Sequence, residues 1–89
     1  MQVVFDKRFT KDITKIKHQA LKQKIKATIE QIEQAGSITK VNKLKKLKGH
    51  PAAYRIRVGD YRMGLFVLDE NTVELVRVLH RKDIYSSFP

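Results

Sequence analysis

The first third of the chain repeats apolar residues at helical spacing. Residues 1–5 contain a short apolar run that predicts an opening strand, with Asp6 or Thr10 as the cap of a following helix. That helix is short and amphipathic, and its apolar positions are Phe9, Ile13 and Ile16. After a break near Lys17, a longer helix is predicted over about residues 18–35, ended by Gly36. Its apolar positions are Leu21, Ile25, Ile29 and Ile32.

The last third alternates apolar and polar residues, as strands do. Three strands are predicted, at residues 53–58, 61–68 and 73–79. Gly59 and Asp60 form a two-residue hairpin loop, and a second turn falls at residues 69–72. The pattern therefore predicts one α+β domain over residues 1–89: a twisted antiparallel sheet of three or four strands with two helices packed on one face.

The charge of the chain is strongly positive and unevenly placed. Its 89 residues carry 19 Lys and Arg against 9 Asp and Glu, a net charge of +10. No acidic residue lies between Gln34 and Gly59, whereas basic residues accumulate there: Lys40, Lys43, Lys45, Lys46, Lys48, Arg55 and Arg57. Such a surface favours a polyanion or an acidic partner. The chain has no cysteine and no long apolar run, so we expect a cytoplasmic protein without disulfides or a membrane span.

Three arginines are predicted to converge on one face of the sheet. A two-residue loop at 59–60 makes Val58 face Tyr61, so that Arg57 lies directly opposite Arg62 and Arg55 is one step further along the same face. Like charges placed opposite one another destabilise a sheet, and no acid in either strand offsets them. Conflicts of this kind tend to mark functional sites, and the arrangement favours a phosphate-binding site over a merely solvated face.

The register of the last hairpin decides which further residues join this face. A turn that pairs the residues on either side of 70–71 adds Arg77 and Arg81, whereas a loop one residue longer adds His80 instead. A histidine beside Tyr85 and several arginines makes a plausible acid/base set for phosphodiester chemistry. No helix is predicted between the last strand and the end of the chain.

The chemistry that the sequence lacks narrows the reaction. It has no cluster of carboxylates or of His and Cys ligands, and no glycine-rich phosphate loop, so we expect neither a metal nor a cofactor. An enzyme of this kind acting on nucleic acid needs a substrate that supplies its own nucleophile. RNA does so through its 2′-hydroxyl group.

Four segments together resemble a known family. They are residues 9–12 (FTKD), 46–49 (KLKG), 54–62 (YRIRVGDYR) and 80–85 (HRKDIY). On these segments the chain is similar to the RelE/ParE superfamily of toxins from type II toxin–antitoxin systems. The resemblance implies a microbial-RNase-like α+β fold. For the RelE branch it implies metal-independent cleavage of messenger RNA in the ribosomal A site, leaving a 2′,3′-cyclic phosphate and a 5′-hydroxyl.

The resemblance also implies roles for single residues. The basic pair of the strand falls on Arg55 and Arg57, which would bind phosphate, and Arg62 would clamp the transition state. The catalytic set implied in the terminal segment is His80, Arg81 and Tyr85. His80 matches family members that transfer a proton through a terminal histidine, and either His80 or Tyr85 could act here.

Partners and competing functions complete the expectation. The lysines next to the arginines are candidates for RNA binding: Lys43, Lys45, Lys46 and Lys48. The resemblance implies a hetero-oligomer with a cognate antitoxin that carries an acidic, partly disordered segment. Two alternatives stay open: a ParE-like inhibitor of DNA gyrase, and a non-catalytic basic module that binds RNA or an antitoxin.

Overall fold

The computed structural model describes all 89 residues, Met1–Pro89. The chain forms three helices and five strands. In order they are β1 (Gln2–Phe5), α1 (Lys7–Lys15), α2 (Gln19–Gln34), β2 (Leu44–Lys46), β3 (Ala53–Val58), β4 (Tyr61–Asp69), β5 (Thr72–His80) and α3 (Arg81–Ser87), with a 3₁₀ turn at Ile38–Lys40. None of the helices combines the length and the apolar character that crossing a membrane requires.

The five strands form one mixed sheet in the order β1-β5-β4-β3-β2. The predicted antiparallel sheet of three or four strands is wrong in two respects. β1 pairs in parallel with β5, a contact between the two ends of the chain that no local pattern encodes. β2 was not predicted, because it has only three residues, of which two are lysines. It pairs antiparallel with β3 at the other edge of the sheet.

Both N-terminal helices pack on one face of the sheet, as predicted. Asp6 caps α1, its carboxylate accepting a hydrogen bond of 2.8 Å from the Arg8 N–H. Phe9 of α1 and Ile25 and Ile32 of α2 are at most 2% exposed, and they join a cluster of 13 buried residues that includes the inward side chains of β3, β4 and β5. This cluster is the main core of the protein.

The opposite face carries a helix that the sequence analysis missed. α3 follows β5 directly and buries Ile84 and Phe88 against Ala53 and Val76, forming a second, smaller cluster. The expectation that no helix follows the last strand is therefore wrong. α3 has seven residues and only two buried apolar side chains around it, Ile84 within and Phe88 at its end, which is too short a pattern to stand out in the sequence.

The first β-hairpin has the predicted register. Val58 pairs with Tyr61, and Arg57 pairs with Arg62. Gly59 makes this tight loop possible, because its φ of +59° lies in a region that side-chain-bearing residues rarely adopt.

The second hairpin corrects the predicted position of Arg77. Asp69 pairs with Thr72, which is the first of the two registers considered. Two one-residue shifts of the β4–β5 ladder, between Val67 and Asp69 and between Gly64 and Leu65, cancel, so Gly64 still pairs with Arg77, but the second shift lies directly beside this pair. Arg77 does not join the face of Arg62. Its guanidinium binds the carboxylate of Asp12 in α1 through bonds of 2.8 and 3.1 Å, and the same carboxylate accepts the Val78 N–H at 3.0 Å.

Candidate functional site: the arginine cleft

A cleft of about 330 Å³ opens on the face that carries α3. We call it the arginine cleft, and its lining residues are Lys43, Leu44, Lys45, Arg55, Arg57, Arg62 and Tyr85. Four elements contribute to it: the start of β2, the neighbouring strands β3 and β4, and α3. The three arginines predicted to converge are thus brought together in one depression.

Strand alternation explains the presence of the arginines. Arg55 and Arg57 are two residues apart on β3, so both side chains project from the same face. Arg62 pairs with Arg57 across the hairpin, and Gly64 pairs with Arg55. Because Gly64 has no side chain, the space above this part of β4 is filled by the ring of Phe88, the residue that follows α3.

Arg62 is half-buried and held by backbone carbonyls. One terminal nitrogen of its guanidinium donates to the carbonyls of Gly59 at 3.0 Å and Tyr61 at 2.9 Å. These bonds fold the side chain over the hairpin loop. Its other N–H groups make no hydrogen bond within the protein, so they can bind an anion in the cleft.

Arg55 is the most unusual residue of the cleft. It is only 9% exposed, and its Nε is the one buried side-chain polar atom of the protein without a hydrogen-bond partner. Its guanidinium carbon lies 4.4 Å from the centre of the Tyr85 ring, a cation–π contact. An unpaired buried donor costs about 1–3 kcal/mol, so the fold tolerates here a group that would bind an acceptor strongly.

No carboxylate offsets the charge of the cleft. The protein has two salt bridges, Arg8 with Asp6 at 3.0 Å and Arg77 with Asp12 at 2.8 Å, and neither involves a cleft residue. The hydrogen bond with Asp12 raises the pKa of Arg77 above its ordinary value. The arginines of the cleft have no such partner, and the cleft is therefore a strongly positive site for a phosphate group.

The predicted lysines divide between the two faces of β2. Lys45 pairs with Arg55 and lines the cleft, whereas Lys46 pairs with Tyr54 and points away from it. Lys43 also lines the cleft and has a φ of +62°, a left-handed conformation that is uncommon for a lysine. Lys48 is exposed and lies outside the cleft.

His80 and Arg81 do not line the cleft. His80 pairs with Tyr61, and the two rings lie edge to face with their centres 5.6 Å apart. The His80 Nδ1 accepts the Lys82 N–H at 3.1 Å and so caps α3. Arg81 is exposed, and its backbone N–H donates to the Asp60 carbonyl at 2.8 Å.

Tyr85 is the terminal residue that does reach the cleft. Its side chain is 69% exposed, and its ring packs on Arg55. Tyr85 lies within α3, and this helix, which the sequence did not predict, fixes the position of its ring. Leu44 also lines the cleft and was not predicted, because no signal distinguishes it from the other residues of a basic loop.

Comparison with known proteins identifies the family to which this fold belongs. Residues 3–85 match the family described as ParE toxin of type II toxin–antitoxin system, parDE. The chain is 41% identical, over the whole length of both proteins, to Toxin RelE3 of Methanocaldococcus jannaschii.

Solved structures extend the comparison. A chain of the RelB–RelE antitoxin–toxin complex from Methanococcus jannaschii superposes with a TM-score of 0.80 at 40% identity, covering 97% of this chain and 99% of that one. A mutant of Escherichia coli toxin RelE, in complex with a RelB peptide, has a TM-score of 0.68 at 26% identity, covering 96% of this chain and 90% of that one. The chain belongs to the RelE/ParE superfamily of toxins of type II toxin–antitoxin systems.

Proposed function

We propose that this toxin is a metal-independent endoribonuclease that cleaves messenger RNA. The observation that carries the proposal is the convergence of Arg55, Arg57 and Arg62 in one cleft without a carboxylate partner. Three guanidinium groups in one cleft match the charge that develops on a phosphate during phosphodiester cleavage. RNA supplies its own nucleophile, so the protein needs no metal-bound water.

In the proposed reaction the RNA provides the nucleophile, and the protein binds the phosphate and stabilises the transition state. The 2′-oxygen of the RNA attacks the adjacent phosphorus, losing its proton, while the bond from phosphorus to the 5′-oxygen breaks and that oxygen gains a proton. The products are a 2′,3′-cyclic phosphate and a 5′-hydroxyl. Arg55 and Arg57 would bind the phosphate oxygens. Arg62, anchored to the hairpin carbonyls, would stabilise the added charge of the transition state.

Tyr85 is the proton-transfer residue that the cleft geometry supports. It lines the cleft, and its ring contacts the guanidinium of Arg55, so its phenol group lies beside the position that a bound phosphate would take. His80 packs on Tyr61 and caps α3 in this conformation, so a proton-transfer role for it requires α3 to move. Arg81 is exposed at the start of α3, where it could contact the RNA backbone beyond the cleft.

The basic surface around the cleft supports a ribosomal target. Lys43 and Lys45 lie within the cleft and Lys46 and Lys48 beside it, and the chain carries a net charge of +10. Such a surface would attract an RNA-rich particle at a rate that falls with ionic strength. We therefore propose that cleavage takes place on mRNA in the ribosomal A site.

The same charges suit a protein inhibitor. Two of the solved relatives, from Methanococcus jannaschii and Escherichia coli, are in complex with RelB. By analogy we propose a cognate antitoxin for this chain, with an acidic segment that folds on binding and neutralises the cleft in a toxin–antitoxin hetero-oligomer.

The test is induced expression followed by mapping of transcript 5′ ends. The wild type is compared with Arg62→Ala and with Arg8→Ala, a matched control that removes an exposed arginine paired with Asp6 outside the cleft. We expect clustered in-frame cuts for the wild type and for Arg8→Ala, and none for Arg62→Ala. Cuts that persist in Arg62→Ala would contradict the proposal.

One observation favours a second candidate. The family matched by residues 3–85 is described as ParE toxin, and a ParE-like inhibitor of DNA gyrase is the alternative that the sequence resemblance leaves open. The same expression experiment distinguishes the two functions, because a gyrase inhibitor leaves transcripts intact and blocks supercoiling of plasmid DNA. A non-catalytic binding module would do neither, although it would still bind RNA in a salt-dependent manner.

A further inference from the structure

The position of Tyr85 depends on a packing contact behind it. α3 is attached to the sheet by Ile84, which is fully buried, and by Phe88, which is 4% exposed. Tyr85 lies between them in sequence and is itself 69% exposed, so its own side chain contributes little to holding the helix. The packing of Ile84 and Phe88 on the sheet therefore also determines where the Tyr85 ring lies.

Phe88 is seated on a glycine. A Cβ atom added to Gly64 would lie 2.5 Å from Cγ and Cδ2 of the Phe88 ring, closer than real Cβ contacts allow. The ring therefore fills the space that a side chain at position 64 would occupy. The ring also packs on Phe66, with the ring centres 5.1 Å apart.

This glycine is adjacent to the cleft. Gly64 pairs with Arg55 across β3 and β4, and Arg55 carries the Tyr85 ring on its guanidinium. Phe88 packs on Gly64 and Tyr85 packs on Arg55, and these two residues are paired across β3 and β4. The Phe88 N–H donates to the Ile84 carbonyl at 2.9 Å, which fixes Phe88 relative to the helix.

We propose that Phe88, seated on Gly64, is a positioning residue that holds the Tyr85 ring over Arg55. The proposal rests on the proposed ribonuclease function only for its consequence in catalysis. Phe88 does not line the cleft, so its effect on cleavage passes through Tyr85. The three arginines lie on strands, and RNA binding by them should depend little on Phe88.

Two substitutions disrupt the contact between the Phe88 ring and Gly64 from opposite sides. Phe88→Ala deletes the ring, and Gly64→Ala introduces a methyl group that the ring cannot accommodate. The matched controls are Phe5→Ala, an exposed phenylalanine of β1, and Gly36→Ala, where a Cβ meets only the Lys40 Nζ at 4.0 Å. A conservative variant, Phe88→Leu, keeps an apolar group on Gly64.

The first measurement does not depend on activity. The NMR signal of the Arg55 Nε–H proton should be displaced by the ring current of Tyr85, and Tyr85→Leu identifies that displacement. We expect Phe88→Ala and Gly64→Ala to abolish it and both controls and Phe88→Leu to keep it. A displacement that survives in Phe88→Ala and Gly64→Ala would overturn the proposal, whether or not the wild type cleaves RNA.

The second measurement connects the contact to catalysis. We expect Phe88→Ala to lower the cleavage rate at saturating RNA by about 10- to 100-fold. Binding of an RNA with a 2′-deoxy group at the cleavage site should change far less. In the Tyr85→Leu background, Phe88→Ala should cause no further loss of rate. A further loss there, or an equal loss of RNA binding, would show that Phe88 acts in some other way and contradict the proposal.

The experiment also tests the proposal if the Phe88→Ala variant does not fold. If Phe88→Ala does not fold, Phe88→Leu and Gly64→Ala still differ in whether an apolar group can rest on position 64, and the Arg55 signal must differ between them. If the wild type cleaves no RNA, the proposed function fails while the Arg55 signal continues to test the position of Tyr85.

Discussion

We expect Arg55 to be required for activity and to lower the free energy of unfolding of the protein. The substitution Arg55→Met keeps a long unbranched apolar side chain in the buried site and removes the guanidinium. We expect this variant to be more stable than the wild type and nearly inactive.

The magnitude follows from three contributions. Arg55 is 9% exposed and its Nε has no partner, a defect that costs about 1–3 kcal/mol. Its repulsion from the other cleft arginines adds about 0.2–1 kcal/mol. The contact with the Tyr85 ring, at 4.4 Å, offsets about 0.5–2 kcal/mol of this. The net expectation is a gain of about 1 kcal/mol, equivalent to a rise in melting temperature of about 4–8 °C for a domain of this size.

Two assays check the expectation. Thermal unfolding by circular dichroism gives the melting temperature, and cleavage of RNA by the purified toxin gives the rate, which should fall by about 10²–10³-fold. Inorganic phosphate should raise the melting temperature of the wild type more than that of Arg55→Met, because an anion that binds only the folded state stabilises it. Arg8→Met, at an exposed position outside the cleft, should change none of these quantities.

The opposite result would refute the reasoning. If Arg55→Met melts several degrees below the wild type, the buried guanidinium is a net stabilising group and the cleft is not under electrostatic conflict. If it cleaves RNA at the wild-type rate, Arg55 does not bind the reacting phosphate.

Three further experiments test other parts of the structure. Asp12→Ala removes the buried partner of Arg77, and urea unfolding should show a loss of about 3–5 kcal/mol; a loss below about 1 kcal/mol would contradict the structural role. His80→Asn keeps an acceptor for the cap of α3, so the cleavage rate should be nearly unchanged, whereas a loss of about 10²-fold would make His80 the proton carrier. Lys45→Ala and Lys46→Ala remove the same charge from opposite faces of β2, and only Lys45→Ala should weaken binding of a short RNA at fixed salt; equal effects would mean that the cleft does not define the RNA site.

Local patterns account for the part of the fold that sequence analysis predicted. Helices α1 and α2 follow from the spacing of apolar residues, and the pairing of Arg57 with Arg62 follows from the length of the loop at 59–60. Each of these features involves residues close together in sequence. The convergence of the arginines could therefore be derived before the structure was known.

The remaining features depend on contacts between distant parts of the chain. The parallel pairing of β1 with β5 joins residues 70 positions apart, the bond between Asp12 and Arg77 joins residues 65 positions apart, and no periodicity in the sequence indicates either contact. An irregularity of the β4–β5 ladder lies beside Arg77, which binds Asp12. His80 pairs with Tyr61, one position beyond the pair of Arg62 with Leu79, so it lies on the other face from Arg62. Arg77 was misplaced because strand alternation was extended through this irregularity, whereas the position of His80 follows from the register of the hairpin, which the sequence left open.

The two hydrophobic clusters have different sizes, and this difference bears on how the toxin can be controlled. The main core holds 13 buried residues, whereas the cluster under α3 holds four. We therefore expect detachment of α3 to cost less free energy than unfolding of the whole domain. Detachment would remove Tyr85 from Arg55 while leaving the arginines on their strands. A partner that binds α3 away from the sheet could therefore stop catalysis and leave the fold and the phosphate site intact.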